Sequence, residues 1–313
     1  MDSVAFMGAR PLPFFGMRYD GCIINTEREK TMNHRNIFTA AVLAASLGVA
    51  HASIFNPVGP QIREANNNWS LGFIHQSLSY YEVPPAAGLP NPLDSETGGL
   101  NGIHWDVRHQ HSYFGWGFDI DYLQTHLGGT VTYNGYLQNL QTGALTPASG
   151  PTNSGEMNGQ LFLRGGFSPI RHLAVFFGVV GGGRSWARDN TALYGGYDET
   201  YYNFLAGGEA SAQYAVGPVV LDLSGIVGRN FGSAVSSNVT GAYTTFHLGN
   251  SPYHRIGFKV TYAMTPHLSL YTSYHRVTFS YGASATNSAG YMEPASHTTE
   301  SSVQVGVRVH NFF

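Results

Sequence analysis

The sequence predicts an all-β protein, a closed antiparallel barrel of about ten strands, with eight or twelve strands as alternatives. Three observations predict it. The last thirteen residues alternate strictly between apolar and polar side chains. Short and long connections alternate along the rest of the chain. No run of about 18 apolar residues follows Val49, which excludes a helical membrane protein.

The C-terminal segment 301–313 is the clearest strand. Its valines stand at every second position and its polar residues between them, so the two kinds face opposite sides of a sheet. Arg308 on the polar face suits a strand with lipid outside and a polar interior. A strand of this kind that ends on Phe313 resembles the closing strand of bacterial outer-membrane β-barrels, the OmpA-like and porin-like proteins; Asn311 departs from their pattern. The resemblance implies that Phe313 is the signal read by the barrel-insertion machinery.

The N-terminal part carries an export signal. Residues 32–52 combine a short basic start, an apolar run and a small-x-small site at Ala50 to Ala52, the pattern of a cleaved signal peptide. We therefore expect residues 53–313 to form the mature barrel in the outer membrane of the Gram-negative cell envelope. Residues 1–31 are interpreted as a mis-annotated upstream extension, with a genuine leader extension as the alternative.

Composition agrees with this class of protein. Removing residues 1–52 takes away five of 16 Lys+Arg and four of 19 Asp+Glu, which leaves 11 basic and 15 acidic residues and a net charge of −4. Such a balance is not the footprint of a nucleic-acid-binding protein. The one cysteine, Cys22, precedes the barrel, so no disulfide is expected, and the sequence predicts no cofactor.

Ten strands and their connections can be placed by alternation and turn residues. The predicted strands are 68–81, 99–109, 114–125, 156–167, 172–187, 200–215, 218–231, 253–264, 267–281 and 301–313. The predicted long loops are 82–98, 126–155, 188–199, 232–252 and 282–300. Barrels of this class have short periplasmic turns and long extracellular loops, so both ends of the barrel are expected in the periplasm.

The same alternation predicts a charged lumen. Its charged side chains are Asp106, Arg108, Asp119, Asp121, Arg164, Arg184, Glu209, Asp222, Arg255, Lys259 and Arg308, with His104 among them. Opposite charges in a narrow lumen are expected to pair, because a lone buried ion costs several kcal/mol, roughly. The alternative is a thin charged channel that conducts weakly.

Two catalytic patterns occur. His75 and Ser77 have the His-x-Ser spacing of proteins that resemble lipid A deacylases, but Leu78 stands where an asparagine usually follows the serine. Asp119 and Asp121 match the Asp-x-Asp pair of omptin-like surface proteases in spacing only, at the periplasmic end and without an Asp-His partner. Interior carboxylates that pair with Arg108 and Arg164 are the simpler interpretation.

Histidines suggest a third chemistry. His109 and His111 share one face near a predicted turn and could hold a transition metal, but spacing supplies no third ligand. No metal site is predicted from this pair alone.

The sequence therefore predicts a non-enzymatic outer-membrane barrel, either a structural surface protein or a narrow, weakly conducting pore. The alternative is a barrel enzyme acting on lipid A or surface peptides. Expected partners are outer-membrane lipids including lipopolysaccharide, the insertion machinery, and an extracellular ligand bound by the loops.

Overall fold

The computed structural model describes residues 56–86, 88–138, 145–191, 193, 196–239, 241–288 and 290–310. One helix, α1 (Pro60–Ala65), precedes the strands. The strands are β1 (Asn68–Val83), β2 (Asp94–Gln110), β3 (Phe114–Gln124), β4 (Thr130–Gln138), β5 (Leu145–Ile170), β6 (Leu173–Asp189), β7 (Asp198–Val216), β8 (Val219–Ser237), β9 (Thr244–His247), β10 (Ser251–Thr265), β11 (Leu268–Tyr281) and β12 (Ala295–His310). The predicted extension, signal peptide and Phe313 lie outside the described residues.

The strands close into a barrel through the first and last of them. β1 pairs antiparallel with β12 from Asn68 opposite His310 to Val83 opposite Ala295. Around the ring the order is β1, β2, β3, β5, β6, β7, β8, β10, β11 and β12, all antiparallel neighbours. Closure leaves no unpaired edge, as a membrane requires. The prediction of a ten-stranded barrel is confirmed.

β4 prolongs β3 in the same direction along the wall. A 3₁₀ turn at Thr125–Leu127 and Gly128, whose φ of 92° favours glycine, interrupt the strand. Beyond the break, β4 pairs with β2 on one side and with β5 on the other. The prediction of a loop over 126–155 is therefore wrong, because this segment holds β4 and the start of β5. Its glycines, prolines and serines concealed an alternation that buries Val131 and Tyr133.

The other long loops are also shorter than expected. β2 starts at Asp94, β6 ends at Asp189 and β12 starts at Ala295. The strands thus reach 14 to 26 residues at most positions of the ring, whereas about 9–11 residues cross a bilayer. The four short turns, 111–113, 171–172, 217–218 and 266–267, all lie at one end of the barrel. By the asymmetry of this class that end is periplasmic, and the long-loop end is extracellular.

The outer wall carries an apolar band next to the short-turn end. On β12 the exposed side chains Val303, Val305 and Val307 lie beside Leu71 and Phe73 of β1. Further toward the loops the outward positions become polar, as at Ser77 and Ser301. The long-loop half of the barrel therefore projects beyond the membrane. No helix in the described part is long and apolar enough to cross a bilayer.

The residues before β1 cover the periplasmic mouth. Val58 and Ile62 of this segment are 1% exposed and pack with Phe176 and Val220 of the barrel wall. The segment is hydrogen-bonded to two of the four short turns and to the end of β5: Val58 N donates to Ser112 O, the Gln61 amide donates to Gly217 O, and Gly59 N donates to Ser168 Oγ at 3.1 Å. Residues 56–67 thus form a plug that the sequence did not predict.

Candidate functional site: the barrel lumen

Alternation points polar side chains of every ring strand into the lumen, and the lowest of them form an ion-pair network. Asp106 lies 3.4 Å from Arg308 and 3.7 Å from Arg108, which is also 3.7 Å from Asp119. The Ser70 hydroxyl donates to Asp106 Oδ1 at 2.7 Å, so this fully buried carboxylate is well compensated.

One further carboxylate, Asp121, completes the lower lumen. His104 Nδ1 lies 2.6 Å from Asp121 Oδ1, and His104 Nε2 lies 3.9 Å from Asp106 Oδ2. Asp121 therefore pairs with His104 rather than with Arg164. The guanidinium of Arg164 lies over the Phe176 ring, 4.6 Å from its centroid, just above the plug.

A second ion-pair group lies higher in the lumen. Arg184 Nη2 donates to Glu156 Oε2 at 2.9 Å and also to Glu300 Oε1. Gln76 donates to the same Glu156 oxygen at 2.9 Å. Arg184 was among the predicted lumen charges, but Glu156 and Glu300 were not, because 300 was assigned to a loop and 156 to the first residue of a strand.

The remaining predicted charges line the same interior without close partners of opposite charge. In the described part, no ion pair within 4 Å involves Arg164, Glu209, Asp222, Arg255 or Lys259. Arg255 donates to Gln160 Oε1 at 2.8 Å, and Gln213 donates to Asp222 Oδ2 at 2.7 Å. Neutral amides thus stabilise some of the buried charges for which the sequence predicted ion pairs.

Little space is left between these groups. The central cavity measures about 60 Å³ and is lined by His104, Asp121, Arg184, Arg255 and Lys259 among others. Such a volume holds a handful of water molecules. A second space of about 10 Å³ lies beside the plug. Among the described residues, polar side chains therefore fill much of the lumen.

The extracellular half of the barrel encloses a site that the sequence did not predict, here called the Arg188 cluster. It consists of Arg188, the carboxylates Glu82, Asp94, Glu96, Glu199 and Glu293, and the rings of Tyr80, Tyr133, Trp186 and Tyr201. Arg188 is 2% exposed and contacts Glu199 at 2.7 Å, Glu96 at 3.1 Å and Glu82 at 3.6 Å. Its guanidinium also lies 4.5 Å from the Tyr80 ring centroid, so the charge is stabilised by an aromatic ring as well as by carboxylates.

The carboxylates of this cluster outnumber its one cation. Tyr201 donates to Glu293 Oε1 at 2.6 Å, and Tyr133 donates to Asp94 Oδ1 at 2.6 Å. Burial and neighbouring carboxylates nevertheless raise the pKa of Glu82 and Glu293, and raise the pKa of Glu199 to about 8. These groups lie beyond the apolar band, in the part of the barrel that projects from the membrane. At neutral pH the cluster therefore retains bound protons.

The signal for this cluster was present in the chain. Tyr80 and Glu82 continue the inward phase of β1, Arg188 continues that of Arg184, and Glu199 precedes the inward Tyr201. Ending the strands at turn-forming residues hid it, since the strands continue past them.

The candidate catalytic pair points away from all of this. His75 and Ser77 are exposed on the outer wall, at the upper edge of the apolar band. His75 Nδ1 lies 2.7 Å from Asn101 Oδ1, whose amide nitrogen in turn donates to Leu127 O at 3.2 Å. An amide rather than an acid thus contacts the imidazole.

The candidate metal ligands remain a pair. His109 Nε2 and His111 Nε2 are 3.0 Å apart at the β2–β3 turn. Within the described ranges, no group of three or more His, Cys, Asp or Glu side chains is placed to hold a metal ion.

No protein-family model and no curated protein sequence matches the chain. Among solved structures, the outer membrane protease OmpT from Escherichia coli is similar with a TM-score of 0.50 and 11% identity, over 78% of this chain and 95% of that one. The fold is that of a bacterial outer-membrane β-barrel.

Other barrels of this kind match at lower scores. Neisserial surface protein A gives a TM-score of 0.32 and 13% identity, over 78% of this chain and 97% of its own. OprG from Pseudomonas aeruginosa gives 0.33 and 9%, over 78% of this chain and 95% of its own. This outer-membrane barrel, apolar outside and polar inside, is located in the bacterial outer membrane.

Proposed function

We propose that the protein is a closed, non-enzymatic outer-membrane barrel that conducts ions weakly or not at all and presents a rigid extracellular wall with surface loops. The observation that supports this is the packed lumen: ion pairs and amides leave a central cavity of about 60 Å³. A conducting pore needs a water-filled passage, which larger barrels provide.

Closure is repeated at three levels. The plug of residues 56–67 covers the periplasmic mouth, with Ile62 buried against the wall. The Asp106 and Arg184 networks fill the middle. The Arg188 cluster fills the extracellular half. Because each level is held by different contacts, opening one of them does not open the lumen.

The alternative, a barrel enzyme acting on lipid A or surface peptides, lacks an assembled site in the described residues. Asp119 is engaged by Arg108, Asp121 is engaged by His104, and His75 contacts an amide on the outer wall. The interaction surface is instead assigned to the extracellular loops, with outer-membrane lipids around the band and the insertion machinery acting during assembly.

Single-channel recording of the full chain in a planar bilayer tests this function. We expect no discrete current steps from protein whose folded state is verified by its faster migration on unheated gels. The lumen variant Arg184→Ser is recorded in the same way. Its matched control is Arg171→Ser, at an exposed periplasmic turn. Reproducible steps from the unaltered chain would overturn the proposal and favour the narrow pore.

A further inference from the structure

The charges of the barrel are distributed unequally between inside and outside. Every Lys, Arg, Asp and Glu of residues 56–310 is described. Of the basic residues, Arg63 is in the plug and Arg171 is in a turn. Seven others face the interior: Arg108, Arg164, Arg184, Arg188, Arg255, Lys259 and Arg308. Only Arg229 and Arg276 project from the outer wall, where both are exposed.

No carboxylate balances these two arginines on the wall. The acidic side chains face the interior, apart from Glu64 in the plug and the pair Asp189 and Asp198 at the loop-side ends of β6 and β7. The outer wall between the turns and the loop rim thus carries two formal charges, and both are positive.

The two arginines lie on strands that flank a third basic side chain. Arg229 of β8 is opposite Pro252 of β10, and Arg276 of β11 is opposite Ile256 of β10. His254, exposed between these two β10 positions, is a diagonal neighbour of each arginine. Diagonal neighbours on one face of a sheet are about 7–8 Å apart, so the three side chains can reach a common group.

Their height relative to the membrane is the same. Each one is the outward residue that follows an exposed apolar side chain on its own strand: Val227 before Arg229, Ile256 beside His254, and Tyr274 before Arg276. This position is the upper edge of the apolar band, where the headgroups of the outer leaflet begin. The cost of an outward arginine falls toward the interface, and tyrosine is common there.

Hydroxyl groups extend the row on the other side. Arg276 is opposite Ser301 of β12, and Ser301 is opposite Ser77 of β1. The Tyr274 hydroxyl donates to Ser301 Oγ at 3.3 Å. Guanidinium groups flanked by hydroxyls match a phosphate attached to a sugar, since arginine binds phosphate with two parallel hydrogen bonds.

We propose that Arg229, His254 and Arg276 form a binding site for the phosphate groups of an outer-leaflet glycolipid, with Ser301 and Ser77 beside its sugar. The site is on the outside of the wall and is independent of whether the lumen conducts.

Binding of diphosphoryl lipid A to the full chain in zwitterionic detergent, followed by native mass spectrometry, tests the site. We expect Arg229→Gln/Arg276→Gln to bind at least about tenfold more weakly, because each charged hydrogen bond is worth about one factor of ten or more. Arg171→Gln is the matched control and should bind as the unaltered chain does. Monophosphoryl lipid A should bind several-fold more weakly to the unaltered chain.

Two further measurements keep the result interpretable. Arg229→Lys/Arg276→Lys retains both charges but not the paired hydrogen bonds, so it should restore part of the binding. The unheated-gel shift verifies that each variant is folded. Equal lipid A binding by the glutamine double variant and the Arg171→Gln control would overturn the site. Displacement of lipid A by millimolar inorganic phosphate would also overturn it, because the site would then bind any anion rather than a lipid.

Discussion

Replacing Arg188 by methionine removes the one cation of the Arg188 cluster and leaves Glu82, Glu96 and Glu199 facing one another. The three carboxylate oxygens lie 3.6, 3.1 and 2.7 Å from the guanidinium nitrogens. Removing one partner of a buried ion pair costs about 3–5 kcal/mol. We expect the free energy of unfolding at pH 8 to fall by about that amount.

The loss should depend on pH, and its sign follows from the raised pKa values. At pH 5 Glu199, whose pKa is raised to about 8, is protonated in the folded state, and the raised pKa of Glu82 favours its protonation, so the repulsion left when Arg188 is absent is weaker. The cost of Arg188→Met is therefore expected to be smaller at pH 5 than at pH 8. Arg188→Lys keeps the charge and should lose less stability than Arg188→Met at pH 8.

Equilibrium urea unfolding in detergent, followed by tryptophan fluorescence, measures both effects. Trp186 is a reporter inside the cluster, because its ring stacks on Tyr201 with centroids 5.3 Å apart. Arg171→Met at the exposed turn should change stability by no more than about 0.5 kcal/mol. A loss below about 1 kcal/mol for Arg188→Met at pH 8, or an equal loss at both pH values, would refute this account of the cluster.

Further outcomes follow from other parts of the barrel. The free energy of unfolding of the unaltered chain should fall as pH rises through about 8, since a carboxyl group whose folded pKa is raised stabilises the fold while it is protonated. Glu199→Gln should make the free energy of unfolding, measured by urea, depend less on pH. Deleting 126–155 should abolish the heat-modifiable folded band on gels because it removes β4 and the start of β5; a band that persists would mean that the barrel closes without them. His75→Ala and Ser77→Ala should leave lipid A acylation unchanged by mass spectrometry of extracted lipid; altered acylation would revive the enzyme alternative. Ile62→Ala in the plug should cost about 2–5 kcal/mol in the same urea assay, and no loss would mean that the plug does not pack as described.

The sequence predicted the membrane-embedded part of the barrel well for a physical reason. Where lipid faces one side and a polar core the other, every second residue must be apolar, so strands such as 301–310 can be recognised by period alone. The strand count followed from the short turns, because Ala215 to Pro218 and Met264 to Pro266 leave no room for anything but a hairpin.

Above the membrane, inward and outward positions no longer differ clearly in polarity, so alternation is harder to recognise. Outward positions there face water, so Thr, Ser and Asn occur on both faces, and the strand containing Thr130–Gln138 looks like a loop. The plug was missed for another reason: α1 has only six residues, too few for a helical period to be recognised. Ile62 and Ala65 of α1 are buried because they pack against the barrel wall, which the local sequence does not reveal.

Alternation identifies the face of a strand but not the height of a residue along it, and height decides how a charge is compensated. At the level of the band, Asp106 and Arg308 are paired at 3.4 Å, whereas Arg255 and Asp222 are hydrogen-bonded to the amides of Gln160 and Gln213. Beyond the band, five carboxyl groups surround Arg188, an arrangement that raised pKa values allow by keeping protons bound. The interior thus changes from charges that are compensated by ion pairs and amides to a cluster of carboxyl groups that keeps protons bound, in the part of the barrel beyond the apolar band. The Arg229, His254 and Arg276 row marks the same level on the outside.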